Sequence, residues 1–326
     1  MSATPPSSKL NIRAGVALNL AVAPYWRPKE RLEKHPKTAS KRLDFLIELN
    51  DSRKKAALPP IKWPAEAIWE SVAPILPNFT VEALPEIDST NTELMRRAKA
   101  GQTEPILLIA EKQTAGRGRL GREWHDLGAR ATDSLPALTF SLGLPLSPVD
   151  WSGLSLAVGV SIAQSLHPSI GLKWPNDLWL SDALGDRKLA GILIETCVVG
   201  DQRYVVIGVG INITQPSQQP TAQQPALRTP AACLQELLPT ITAQAALQQL
   251  ILPLVQDIVL FAEHGFAPYQ TRFNALDVLK ARKLSVDGNG HIEGLGLGVN
   301  HKGELMVETT QGPIAVNSSE VSVKPL

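Results

Sequence analysis

The sequence predicts an α+β protein in two folded parts: a helix-and-strand body over residues 61–276 and a small all-strand unit over residues 277–326, behind a basic extension at residues 1–60. Three observations carry that expectation. A chain of 326 residues with 44% hydrophobic content can bury one sizeable core and a smaller satellite. Between residues 61 and 276 the apolar side chains recur now at helical spacing, now in runs of strand length. From Ala281 onward brief strands are broken by Asp287-Gly288, Asn289-Gly290 and Lys302-Gly303, and five such strands suggest a small barrel.

The elements follow in order. Trp63, Ala67, Ile68, Trp69, Val72 and Ile75 recur near helical spacing, broken by Pro74 and Pro77. Val81 to Asn91 reads as a short strand running into a helix, with Thr90 and Glu93 as a capping box and Gly101 as the stop. Ile106 to Ala110 is a buried strand, Ala137 to Leu144 another, and Trp151 to Leu166 a packed helix. Short strands are expected around Leu172, Leu178 and Ile192, then a hairpin over Val198 to Ile213 turning at Gly200-Asp201. Residues 214–230, rich in Gln, Pro and Thr, read as a polar linker. Ala243 to Glu263 follows as a long amphipathic helix, bent or interrupted at Pro253.

Charge and cysteine usage narrow the class. Residues 1–55 carry twelve Lys or Arg against five Asp or Glu, which leaves the rest of the chain near −6 although the whole is +1. A basic arm can mean nucleic acid, an anionic membrane surface or a targeting peptide, the last because residues 1–29 contain no acid; a solvated, partly disordered extension is the plainest account. The apolar stretch Gly15–Ala23 is about half the length a bilayer needs, so no membrane span is expected. Cys197 and Cys233 have neither zinc nor disulfide-framework spacing, which fits a reducing cytoplasm.

The most informative stretch is Gln113-Thr-Ala-Gly-Arg-Gly-Arg-Leu-Gly-Arg-Glu-Trp124. Gly116 to Gly121 satisfies the G-x-G-x-x-G pattern of dinucleotide sites, but the continuation lacks the helical periodicity such a site requires. A P-loop also fails, because no Gly-Lys-Ser or Gly-Lys-Thr occurs. Arg117, Arg119 and Arg122 instead offer planar charged forks while Gly116, Gly118 and Gly121 allow close backbone approach, equipment for several anionic groups at once. Arginine-glycine segments that bind nucleic acid usually repeat, and this one occurs once. Three further blocks are rich in functional residue types: Lys173-Trp-Pro-Asn-Asp177, Arg187-Lys-Leu-Ala-Gly-Ile-Leu-Ile-Glu195 and Gly208-Val-Gly-Ile-Asn212. Each has a plain structural reading: a strand-end lysine at Lys173, a turn at Asn176-Asp177, glycine relief between packed strands at Gly208 and Gly210.

Taken with Asp88-Ser-Thr-Asn91, these blocks make the chain resemble the biotin–protein ligase family, whose loop Gly-Arg-Gly-x-x-Gly-Arg-x-Trp is matched from Gly116 to Trp124. The resemblance covers roughly residues 62–326. It implies a mixed sheet with flanking helices like that of class II aminoacyl-tRNA synthetases, followed by an SH3-like barrel. It also implies ATP-dependent activation of biotin to biotinyl-5′-AMP, with Mg²⁺, and transfer to a lysine of a carboxylase's biotin carboxyl carrier domain, such as that of acetyl-CoA carboxylase. By motif position, Ser89, Thr90, Asn91 and Gln113 belong to biotin, and Arg117, Gly118 and Arg119 to its carboxylate and the nucleotide phosphate. Lys188 should touch both anions and, with Arg119, act in catalysis. Arg122, Trp124, Lys173, Asn176, Asp177 and Asn212 fall on the ATP side, with Mg²⁺ near Asp177 and either Lys173 or Asp177 assisting transfer.

Such chemistry needs positive charge rather than a protein nucleophile, and a cover that excludes water from the mixed anhydride; the glycine-rich loop is expected to be that lid. Two features depart from the family pattern: an excursion, Asp182-Ala-Leu-Gly-Asp186, ahead of Lys188, and an N-terminal region without a helix-turn-helix pattern, where one modest helix is expected near Ser40 to Leu49. Specific DNA binding is therefore not expected, and homodimerisation stays open. A lipoate–protein ligase and a biotin-sensing repressor are the alternatives.

Overall fold

The computed structural model describes residues 61–124, 134–215, 229–288, 290–317 and 322–325. The basic extension and most of the polar linker, residues 216–228, lie outside them. Residues 59–326 form one compact unit.

The body is a mixed α+β layer structure. Helix α1 (Ala65–Val72) precedes β1 (Thr80–Leu84), α2 (Thr90–Lys99), β2 (Ile106–Ala110), β3 (Ala137–Pro145) and α3 (Leu154–Leu166). Then come β4 (Gly171–Lys173), β5 (Asp177–Asp182), β6 (Gly185–Val199), β7 (Gln202–Asn212), α4 (Ala243–His264) and α5 (Gln270–Leu276). Seven strands form one sheet in the order β1-β2-β3-β7-β6-β5-β4, in which only β1 and β2 pair in parallel. β8 (Lys283–Gly288), β9 (Gly290–Val299), β10 (Leu305–Thr309), β11 (Gly312–Val316) and β12 (Ser322–Pro325) form a second, antiparallel sheet in the order β11-β10-β9-β8-β12.

The alternation of β7 explains how the large sheet is covered. Val205, Ile207, Val209 and Ile211 face the main core, which they share with α1, α3 and α4. Tyr204 and Val206 face the other way, under Leu94 and Ala98 of α2. Gly208 and Gly210 continue that second face beyond the N-terminus of α2, where their missing side chains leave room for groups from other elements. The cleft described below occupies that gap.

Two local expectations are corrected. Helix α2 is capped by Ser89, not Thr90: Ser89 is extended and its hydroxyl accepts from the Thr92 N–H, while Glu93 pairs with Arg96 and Arg97. Thr90 is thereby freed to face Gln113 and Ser141. Helix α4 runs unbroken through Pro253. The excursion ahead of Lys188 is a tight hairpin, Asp182 pairing with Gly185 across Ala183-Leu184, with Gly185 at φ +92°.

α4 is long and apolar enough to cross a membrane by length and composition, but Ala246, Leu250, Leu254, Ile258 and Phe261 bury its apolar stripe in the core. The small sheet packs on the body through Trp174, whose indole donates to the Gly303 carbonyl at 3.0 Å, through an Arg282–Asp186 pair at 2.7 Å, and through Val278 N–H bonding Leu172.

Candidate active site

Three elements frame an open cleft of about 130 Å³ on the α2 face of the sheet. Its first wall is the N-terminus of α2, where Ser89, Thr90 and Asn91 are all buried. The Gln113 side-chain oxygen accepts from the Thr90 N–H at 2.8 Å, and the Ser141 hydroxyl lies 2.7 Å from Thr90 Oγ1 and 2.6 Å from Asn91 Oδ1. This end is polar and cross-linked by hydrogen bonds.

The second wall is the arginine-glycine loop, which is a hairpin. Trp124 N–H bonds the Gly116 carbonyl at 2.9 Å, Arg117 bridges Glu123, and Gly118 N–H bonds the Arg122 carbonyl at 2.7 Å. A 3₁₀ turn at Arg119–Gly121 closes it, with Leu120 in the left-handed region at φ +56°. No helix opens before Trp124, as a dinucleotide fingerprint would need. The Trp124 indole lies on the sheet: a Cβ at Gly210 would fall 2.5 Å from it, and one at Gly208 only 2.0 Å from Asn91 Oδ1. These glycines are relief, as their plain reading had it, but for side chains of the cleft rather than for strands.

The third wall is β5 and β6. Along β6, Glu195, Leu193 and Gly191 stand opposite Val206, Gly208 and Gly210 and so share the cleft face. Strict alternation would then turn Lys188 toward the core. Instead Leu178 pairs with Ala190 and Trp179 with Lys188, a bulge that leaves Leu189 and Ala190 both buried in the core and aims Lys188 into the cleft. Its ammonium sits 2.7 Å from Asp177 Oδ1. Its backbone is bonded on both sides, N–H to the Pro230 carbonyl and carbonyl to the Ala232 N–H.

Twelve of the fourteen residues singled out from sequence line this one cleft: Ser89, Thr90, Asn91, Gln113, Arg117, Gly118, Arg119, Arg122, Trp124, Asn176, Asp177 and Lys188. The other two sit behind it. Lys173 lies over the Trp179 ring, 4.9 Å from its centroid, in a small neighbouring cavity shared with Asn176 and Asp177. Buried Asn212 donates to the Ala232 carbonyl at 3.0 Å and faces that of Lys188 at 3.4 Å, so it braces the backbone that carries Lys188. Sequence reasoning missed Ser141 and gave Glu195 no role. The available signal for Glu195 was a lone acid in the apolar run Leu189–Val199.

Charge is divided along the cleft. At the Asp177 end Arg119 reaches Asn176 Oδ1 at 3.4 Å, and burial lowers its pKa from the ordinary value, opposed by Asp177 and aided by Arg122; an arginine so placed stays charged. Burial also lowers the Lys173 pKa, against the pull of Asp177, with Lys188, Arg122 and Lys324 adding to the depression. Arg119, Arg122 and Lys188 line this end with Asp177, and Lys173 lies close behind it. The opposite end, at Ser89, Thr90 and Gln113, presents neutral hydrogen-bonding groups.

A family model described as the biotin/lipoate A/B protein ligase family matches residues 83–212. The bifunctional ligase/repressor BirA of Escherichia coli (strain K12) is 36% identical over 239 residues, 70% of this chain and 69% of that protein. The chain belongs to the biotin protein ligase family. The biotin–[acetyl-CoA-carboxylase] ligase of Mycobacterium tuberculosis is 38% identical over 150 residues, 43% of this chain and 51% of that protein. Among solved structures, the biotin protein ligase of Aquifex aeolicus in complex with biotin and ATP has the same fold, with a TM-score of 0.60 at 24% identity over 76% of this chain and 99% of that one.

Proposed function

We propose that this ligase activates biotin with ATP to biotinyl-5′-AMP and then passes the biotinyl group to a lysine of a carboxylase's carrier domain. The observation that carries this is the polarity of the cleft: a neutral polar end at Ser89, Thr90 and Gln113 suits a ureido ring, and the cationic end at Arg119, Arg122 and Lys188 suits a carboxylate meeting a phosphate. In the first step a carboxylate oxygen attacks the α-phosphorus and the bond to pyrophosphate breaks. Lys188 and Arg119 hold the two anions together and offset the charge that builds on the phosphoryl oxygens. In the second, a neutral acceptor amine attacks the acyl carbon and AMP leaves with the bonding pair. Trp124 and the hairpin exclude water from the anhydride meanwhile.

Mg²⁺ fits as a companion of ATP. Among the described residues no three His, Cys, Asp or Glu side chains converge on a metal position, and Asp177 is the carboxylate beside Lys188. A single carboxylate plus phosphate oxygens is ordinary for this ion, which would supply charge neutralisation. Closure of the small sheet into an SH3-like barrel, a class II synthetase-like body, a cytoplasmic setting and the absence of specific DNA binding complete the reading; the lack of a helix-turn-helix pattern in the sequence of residues 1–60 supports the last.

The test is pyrophosphate release with ATP and Mg²⁺, comparing biotin, lipoate and no acid, followed by labelling of an acceptor domain. Release with biotin and labelling of the acceptor is the expected result; release with lipoate alone, or none, sinks it. Gly210→Ala is expected to raise the dissociation constant for ATP at least tenfold in calorimetric titration, because its Cβ would displace the Trp124 indole. Unchanged affinity would remove Trp124 from the ATP side of the site.

A further inference from the structure

Of the three arginines on the hairpin, Arg119 and Arg122 belong to the Asp177 end of the cleft, and Arg117 does not. Arg117 commits both terminal nitrogens to Glu195, Nη1 to Oε2 at 3.1 Å and Nη2 to Oε1 at 3.0 Å. Such a fork-on-carboxylate pair fixes direction as well as distance. Nη1 also lies 3.5 Å from Thr92 Oγ1 on α2. Glu195 Oε2 in turn accepts from Asn91 Nδ2 at 3.0 Å, and Asn91 is itself fixed by the Leu193 carbonyl and Ser141. One carboxylate therefore ties α2, β6 and the hairpin together.

Glu195 and Lys188 are seven residues apart on β6, roughly 20 Å along an extended strand. The Arg117 guanidinium, docked beside Asn91, is thus at the neutral end and far from the phosphate end. The motif reading assigned Arg117 to the carboxylate and phosphate; its partners here are protein groups.

We propose that Glu195 is a positioning residue that holds the arginine-glycine hairpin over the cleft by gripping Arg117, so that Arg117 is a strut while Arg119 and Arg122 meet the anionic substrates. The division of substrate roles rests on the ligase reading, whereas the grip is a property of the free protein. The grip fixes the neutral end of the hairpin, and the Trp124 contact with Gly210 fixes its base. The cationic tip is left to adjust around phosphate.

The experiment is hydrogen exchange on the full chain without ligands, for wild type, Glu195→Gln and Arg117→Gln. The bonded amides of Gly118, Arg122 and Trp124 are expected to exchange at least five times faster in both variants, with β3 and β7 amides unchanged as the measure of an intact fold. Because the pair is partly exposed, raising salt from about 50 to about 500 mM should speed hairpin exchange in wild type and not in Glu195→Gln. A purely packing role for Glu195 would show no such difference. Unchanged hairpin exchange in the variants, or the same salt response in Glu195→Gln as in wild type, overturns the proposal. Arg117→Gln, at a half-exposed residue, keeps the test decisive if Glu195→Gln does not fold. Failure of wild type to release pyrophosphate with biotin would sink the ligase reading without touching this result.

Discussion

Lys188→Met is expected to slow pyrophosphate release in a single turnover by roughly 10²–10³-fold, with a smaller change in the Michaelis constant for biotin. The bulge at Leu189 aims the side chain, and bonds to Pro230 and Ala232 fix its backbone, so the ammonium is in place before substrate arrives. Two anions must meet beside it, and a charge that needs no reorganisation at that moment acts on the barrier rather than on binding alone. The fold should tolerate the change within about 1 kcal/mol, because the Lys188–Asp177 pair is partly solvated and the methionine stem keeps the packing. Lys188→Arg should recover only part of the rate, since the longer planar fork cannot occupy the point 2.7 Å from Asp177 Oδ1 in the same way. A loss under tenfold in Lys188→Met, or a loss expressed only in the Michaelis constant, would show that Lys188 binds without stabilising the transition state.

Which residues line the candidate site was legible in the sequence because the cleft is made of residue types that a core does not want. Arginines on glycines, a Lys-Trp-Pro-Asn-Asp block and a lysine before an apolar strand all stand out against their surroundings, and the three arginines, Asn176, Asp177 and Lys188 line one cleft. What periodicity could not give was direction. Parity along β6 points Lys188 to the core, and only the bulge, a long-range consequence of pairing with β5, reverses it. The cap of α2 shifted by one residue for a similar reason, since Thr90 bonds Gln113 and Ser141 across the chain and leaves Ser89 to cap. That Asn212 braces the backbone of Lys188 follows from the chain returning at Pro230 beside Lys188, which no local pattern records. The order of strands, with β7 inserted between β3 and β6, is equally a matter of distant pairing.

Asp277→Asn is expected to stabilise the protein at pH 7.5 by about 1–3 kcal/mol and to leave it nearly unchanged at pH 4. Asp277 stands where α5 hands over to the small sheet, bridged to Leu172 of β4. Its Oδ1 accepts from the Leu279 N–H at 2.9 Å, but Oδ2 is sealed from solvent with no protein partner. Burial pushes its pKa up to about 6 from an ordinary 3.8, against the weaker opposing effects of the Leu279 bond and Lys280. The folded chain therefore keeps a proton that the unfolded chain has released. Stability is present in full below about pH 4 and falls as pH rises toward 6, and the whole cost applies above that. A shift from 3.8 to about 6 corresponds to about 3 kcal/mol, and residual solvent contact trims it. Asparagine keeps the acceptor for Leu279, cannot ionise, and can donate where the carboxylate could not, so its advantage should track that ionisation. Urea unfolding at pH 4.0, 5.0, 6.0 and 7.5 would read this as a difference between the two proteins that opens with pH. A difference that is flat across the series would mean that Asp277 carries its charge in the fold at no cost, and that the joint between body and small sheet is wetter than its geometry indicates.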